Sequence, residues 1–286
     1  MNSVDRHLDA ESKAATLLAM RSAKKEVFLI VEGDSDVDVL ANALRVPRSN
    51  ILSCDGKETL MAVYRMAPQK GIDEGSVFLR DRDNDDVSTG LSSGVLLLVT
   101  SRYDLEMELL ENRIFQRILS EFMRDTVGAA QAKAEFDKIC EAASAVGALR
   151  IYSQDHTANL DFDELKYNRF LNSRNLAVDI SNAVRYIFAK SKVALANPAA
   201  VKAAVVQTLQ GRAAADIVCC KEFVDVLHLA LSRHYNACDA RECLPSILSR
   251  TIRISAVHED FKMMALYPPF SSHVAGCGYG WSGSPL

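Results

Sequence analysis

The chain has 286 residues, 49% apolar and 24% charged, which is enough for one large domain or two modest ones and is the balance of an ordinary soluble globule. No apolar run reaches the roughly 18 residues that a membrane span requires. Met1 to Lys25 lacks the apolar core of a signal peptide, so a cytoplasmic protein without membrane contact is expected. The net charge of −4 excludes a simple basic nucleic-acid binder, but residues 1–125 carry −6 and residues 126–286 carry +2. An acidic half can still handle phosphates when divalent cations reverse its local sign.

An amphipathic helix is expected from about Ala10 to Lys25, followed by the apolar run Val27 to Val31. That run, closed by Glu32-Gly33, has the composition of a buried parallel strand. Gly33 permits a tight turn. Asp34 or Ser35 is placed to cap the next helix, which carries Val37 to Leu44 and is stopped by Pro47. Ile51 to Cys54 is a second strand closed by Asp55-Gly56, and a helix follows from Lys57 to Pro68. Val77 to Leu79 is a third strand running into Arg80-Asp81-Arg82-Asp83. Asn84 to Ser93 is a polar loop in which Asp85 and Asp86 are expected as solvated charges. Gly94 to Thr100 is a fourth strand, and Tyr103 to Met123 a long helix. Strands alternating with helices at this spacing give an α/β fold with a mostly parallel sheet flanked by helices.

Beyond Asp125 the pattern turns mainly helical, with helices expected at Gly128–Gly147, Leu160–Leu171, Ala177–Lys192, Pro198–Gln210 and Cys219–Arg233. The expected division is 1–125 for a catalytic domain, 126–267 for a helical domain and 268–286 for a flexible tail rich in Gly, Ser and Pro. Seven cysteines without a CxxC pair indicate reduced thiols. His234, Cys238 and Cys243 fit no common zinc spacing.

Chemistry concentrates in two acidic motifs. Val31-Glu32-Gly33-Asp34-Ser35-Asp36 puts Glu32 at a strand's carboxyl end, the edge where open α/β sheets bind ligands, with Asp36 in the first helical turn behind it. Asp81 and Asp83 lie two apart, so an extended backbone turns both carboxylates to one face while Arg80 and Arg82 face away. Crowded carboxylates repel, and hard divalent cations such as Mg²⁺ or Mn²⁺ relieve the repulsion. One or two such ions serve phosphodiester hydrolysis. Glu106, just after the fourth strand, is a third candidate, or simply an acid favourably placed in a first helical turn with Asp104 as its cap. Lys221, near the start of a late helix, is placed either to stabilise developing charge or as an ordinary surface lysine.

The run Val31 to Asp36 followed by Asp81-Arg82-Asp83 resembles the Toprim domain of topoisomerases, primases and OLD-family nucleases. The resemblance implies Glu32 as metal ligand or general acid/base, Asp81 and Asp83 as metal ligands, and a metal role for Asp36 as in OLD nucleases. The wider layout, with Asp104-Leu105-Glu106 after the next strand and Cys220-Lys221-Glu222 at a late helix start, is similar to the DUF4435 proteins. These include the nuclease effector of the PARIS anti-phage defence system, which is held by an ABC-type ATPase and cleaves host tRNA once released.

That likeness implies a metal-dependent endonuclease of bacterial defence, acting on RNA such as tRNA, with an ABC-type ATPase as partner. The chain has no GxxxxGK[ST] motif of its own, so nucleotide sensing would fall to that partner. A Toprim DNA endonuclease of OLD type and a non-catalytic metal-binding assembly module are the alternatives. The helical half is a candidate for homodimerisation, substrate presentation or docking of the ATPase.

Overall fold

The computed structural model describes residues 3–85, 88–92, 94–123, 125–283 and 285. The chain divides into two units, one formed by residues 1–112 and 253–286 and the other by residues 113–252. This partition differs from the expected cuts at 125 and 267. The change from strands to helices near Asp125 marks a change of secondary structure, whereas the first unit is discontinuous and takes back the chain from Arg253 onward.

The first unit is α/β. Its elements are α1 (Ser3–Ala23), β1 (Phe28–Val31), α2 (Asp34–Leu44), β2 (Ile51–Ser53), α3 (Lys57–Lys70), β3 (Ser76–Arg80), β4 (Gly90–Ser92), β5 (Val95–Val99) and α4 (Leu105–Leu109). The strand order is β2-β1-β3-β5-β4, with β2, β1, β3 and β5 parallel and β4 antiparallel to β5. All four residues of β1 are buried, and pleating turns Phe28 and Ile30 to one face and Leu29 and Val31 to the other. On the first face Phe28, Ile30, Phe78, Val95, Leu97 and Val99 pack with Ala10, Ala14 and Leu17 of α1 and Leu60, Val63 and Ala67 of α3. The other face is covered by α2 and by helices from the returning chain.

β4 lies where a polar loop was expected. Gly90-Leu91-Ser92 carries no apolar alternation, and its pairing is supplied by the neighbouring strand rather than by its own residues. The long helix expected from Tyr103 starts at Leu105 and passes through a π-helical turn at Leu110–Ile114 into α5 (Phe115–Met123).

In the second unit α5 and α7 (Ile180–Lys190), α8 (Pro198–Gly211), α9 (Ala214–Ile217) and α10 (Cys220–Leu229) pack on α6 (Ala129–Asp155). From Ala142 to Leu149 α6 is buried on every side, the signature of a central helix. Phe115, Phe136 and Phe223 form its aromatic core, with ring centroids 5.2–5.6 Å apart. A Cβ at Gly147 would stand 2.2 Å from the Ile217 carbonyl oxygen. Gly147→Ala is therefore expected to cost about 2 kcal/mol or more by overpacking, seen as a lower urea midpoint; an unchanged midpoint would refute this packing. The helix expected at Leu160–Leu171 is absent but for a 3-10 turn at Tyr167–Arg169. Left-handed Asn159 and Glu164, and an Asp163 N–H held by the Asp161 side chain, favour a loop there instead.

The returning chain forms α11 (Pro245–Ser255), α12 (His258–Lys262) and α13 (Tyr267–Gly276). The segment expected as a tail thus carries a helix, and Gly280 bridges to Glu26 beside β1. Tyr279 packs its ring where a Cβ on Gly75 (φ +68°) would intrude at 2.7 Å, and its hydroxyl accepts from Arg21 at 2.8 Å. Trp281 meets Phe270 edge-on at 5.4 Å. Among the described residues no helix is long and apolar enough to cross a membrane, and all seven cysteines are outside disulfides.

Candidate functional site

The connections make one place on the sheet special. From β1 the chain steps to β2 on one side, then crosses back to β3 on the other. The carboxyl ends of β1 and β3 therefore form a topological switch point, where diverging loops open a crevice. Glu32 follows β1 directly and Asp81 follows β3 directly. Glu32 Oε1 accepts the Asp81 N–H at 3.0 Å, which ties the two strand ends together.

Three more acids join them. Asp36, 3% exposed, accepts the Gly33 N–H at 2.9 Å through Oδ2, so its carboxylate also closes the start of α2. Gly33 is the N-cap in place of Asp34 or Ser35, and Asp34 is exposed. Gly33 is extended (φ −141°), a conformation open to any residue, so the turn itself does not demand glycine. Asp81 Oδ1 accepts the Leu105 N–H at 3.0 Å, pinning the first turn of α4. Asp104 is the N-cap of α4 and accepts the Met107 N–H at 2.8 Å, while Glu106, 7% exposed, sits in that same turn.

Electrostatics record how close these groups lie. Burial, then the neighbouring Asp83, pushes the Glu32 carboxyl up to about 7. Burial, then Glu106, pushes Asp36 up to about 7, with Glu32 adding to it. Asp81 is raised well above the ordinary carboxylate range by burial and then by Asp104, Asp36, Glu32 and Glu106. Glu32, Asp36, Asp81, Asp83 and Glu106 thus lie in one electrostatic neighbourhood.

Asp83 also lies beside Glu32, but strand alternation does not place it there. β3 ends at Arg80, and Asp83 is left-handed (φ +51°), so the two-residue alternation of a strand no longer applies. The Asp83 N–H is held by the Tyr103 carbonyl at 2.9 Å, and its carboxylate takes Lys57 Nζ at 2.5 Å. Lys57 also reaches Asp85 at 3.1 Å, and the buried Arg80 pairs with Asp85. Burial opposes charge on Asp85, but hydrogen bonds from Arg80 and Lys57 outweigh it and hold its carboxyl below the usual range. Asp85 is therefore a partnered acid rather than a solvated loop charge; Asp86 lies outside the described residues. Burial also opposes the Lys57 charge, and the bond to Asp83 outweighs it, raising the ammonium above its ordinary value.

Lys221 belongs to the second unit, where it pairs with Asp163 at 2.7 Å. His234 contacts Lys138 at 2.7 Å and the Arg174 carbonyl, whereas Cys243 lies against His228.

Sequence reasoning missed four residues. Lys57 follows β2 at the same sheet edge, so the edge rule applied to Asp55-Gly56-Lys57 would have flagged it. Asp104 entered as a helix cap and as part of the Asp104-Leu105-Glu106 element without a site role, yet it is the first charged neighbour of Asp81. Glu108, 3% exposed, accepts the N–H groups of Ser101 at 2.6 Å and Ala265 at 3.2 Å and braces the loop behind Asp81. Arg253, in the last turn of α11, places Nε 3.2 Å from Glu106 Oε1, and no local pattern announces it.

Among the described residues no three His, Cys, Asp or Glu side chains are arranged to hold a metal ion. Several carboxylate oxygens are spent on backbone N–H groups or on cations. The chemistry of the donor set nevertheless fits a hard divalent cation: carboxylates alone, buried, and mutually repelling to the point of raised proton affinity. No protein-family model and no curated protein matches the chain.

Proposed function

We propose that the chain is a metal-dependent phosphodiesterase that cuts nucleic acid at the β1–β3 switch point. The observation that carries this reading is the gathering of Glu32, Asp36, Asp81 and Glu106 where two parallel strands end. Such a cluster costs folding energy, and that cost is typical of functional sites. Glu32, Asp36, Asp81 and Glu106 would hold Mg²⁺ or Mn²⁺, with Asp83 joining by exchanging Lys57 for the ion. The bound cation supplies neutralisation of the phosphodiester and an acidified water. Glu32, whose carboxyl is pushed up to about 7 without metal, would serve either as a ligand of the ion or as general acid/base, not as both on one oxygen. Its hydrogen bond to the Asp81 N–H fixes it against the neighbouring strand end. Lys57, held between Asp83 and Asp85 just after β2 at the same sheet edge, would supply positive charge to a bound phosphate.

The Toprim and DUF4435 likeness extends the proposal to RNA, with tRNA first, as the substrate, and to an ABC-type ATPase as a restraining partner in a bacterial cytoplasm. Digestion of total tRNA and of plasmid DNA side by side, in Mn²⁺, in Mg²⁺ and in EDTA, tests it. Cleavage is expected only with metal, and Glu32→Ala is expected to lose at least about a hundredfold. Glu32→Ala protein cutting as fast as the wild type would overturn the reading.

One observation favours a second reading, a non-catalytic metal-binding or assembly role: Arg253 and Lys57 already neutralise part of the cluster. That reading gives Mn²⁺ binding by calorimetry without turnover on either nucleic acid.

A further inference from the structure

Two buried acids of the cluster, Asp36 and Glu106, share one cation. Arg253 pairs with Glu106 at 3.2 Å and is also among the charges felt by Asp36. Its placement is built. The last carbonyls of a helix have no partner within the helix. At the end of α11 the carbonyls of Arg253, Ile254 and Ala256 accept hydrogen bonds from Asn42 Nδ2 at 3.3, 2.9 and 2.8 Å. Asn42 belongs to α2, the helix whose first turn holds Asp36. A single side-chain amide thus holds the backbone of residues 253–256 against α2, and so sets where the guanidinium enters the cluster.

We propose that Arg253 is an internal counter-ion that competes with the divalent cation for Glu106 and Asp36, and that Asn42 is the residue positioning it. This rests on the metal-binding reading above. A guanidinium keeps its charge at every pH the protein meets, so it compensates the cluster whenever the ion is absent. Its single charge is spread over a planar group, whereas Mg²⁺ or Mn²⁺ concentrates two charges on a few oxygens. Loading the site therefore requires the Arg253–Glu106 pair to open, and the strength of that pair sets the concentration at which the ion enters. The arrangement keeps the carboxylates folded together without metal and raises the threshold for activity.

Calorimetric titration of the full chain with MnCl₂ at pH 8 tests this. Arg253→Met keeps most of the stem and removes the charge, and is expected to bind Mn²⁺ at least about tenfold more tightly, the effect of deleting one nearby like charge. Arg253→Lys retains the charge and is expected to stay within about threefold of wild type. Asn42→Ala leaves the guanidinium in place but unanchored, and is expected to tighten binding by about threefold. Wild-type binding that Arg253→Met leaves unchanged or weakens overturns the counter-ion while sparing the metal reading. Absence of Mn²⁺ binding in every protein overturns the metal reading and this inference with it. If Arg253→Met does not fold, Asn42→Ala decides alone: binding no tighter than wild type overturns the proposal.

Discussion

Asp81→Asn is expected to yield a protein that is more heat-stable than the wild type in EDTA at pH 8, yet at least about a hundredfold slower in metal-dependent cleavage. Asparagine keeps the oxygen that accepts the Leu105 N–H, so the start of α4 stays pinned. What it removes is a carboxyl whose charged form is opposed by burial first and then by Asp104, Asp36, Glu32 and Glu106. Relief of that repulsion is worth on the order of 1–2 kcal/mol, the usual gain when a functional site is made comfortable. On the metal-binding proposal the same charge would ligate a hard cation, so cleavage is expected to fall as stability rises. Melting curves in EDTA and cleavage assays in Mn²⁺ read the two effects separately. A purely structural Asp81 gives the opposite pair of results, with stability lost and cleavage, if any, unchanged.

The metal-free protein is also expected to lose stability as pH rises from about 4 to about 7. Glu32 and Asp36 both have folded-state values pushed up to about 7, above the ordinary carboxylate range near 4. Between those limits the native state binds more protons than the unfolded chain. Stability from this source is then complete below pH 4, falls through the window and is gone above 7. The two acids repel each other, so their contributions do not add fully, and a combined loss of a few kcal/mol is expected. Saturating Mn²⁺ supplies the compensation that the protons gave, so it should raise the melting temperature much more at pH 8 than at pH 5. A melting temperature that rises steadily from pH 4 to 8, with an equal Mn²⁺ shift at both ends, contradicts this account.

The parallel part of the sheet was legible because buried strands write themselves as short apolar runs. Val27 to Val31, Ile51 to Cys54, Val77 to Leu79 and Gly94 to Thr100 each mark a strand to within a residue or two. β4 was not legible because its three residues take their conformation from a partner. Glu32 and Asp81 were legible for a related reason, since a strand's end fixes where the next side chain stands. Asp83 stands beside Glu32 for another reason than strand alternation, because β3 ends at Arg80 and Asp83 is left-handed. Arg253 was out of reach, as its neighbours Glu106 and Asn42 are distant in sequence and only the return of the chain joins them.

That return has a consequence for the order of events on the ribosome. Residues 113–252 must be made before Arg253 can be, which at about 5–20 residues per second takes on the order of ten seconds. Throughout that interval the nascent sheet lacks the guanidinium beside Glu106, the Ala265 N–H on Glu108 and the Gly280 bridge beside β1. The acids are synthesised early and their compensation late. The first unit therefore completes its charge compensation only after translation of the second, and until then its acids stand together without their late-made partners.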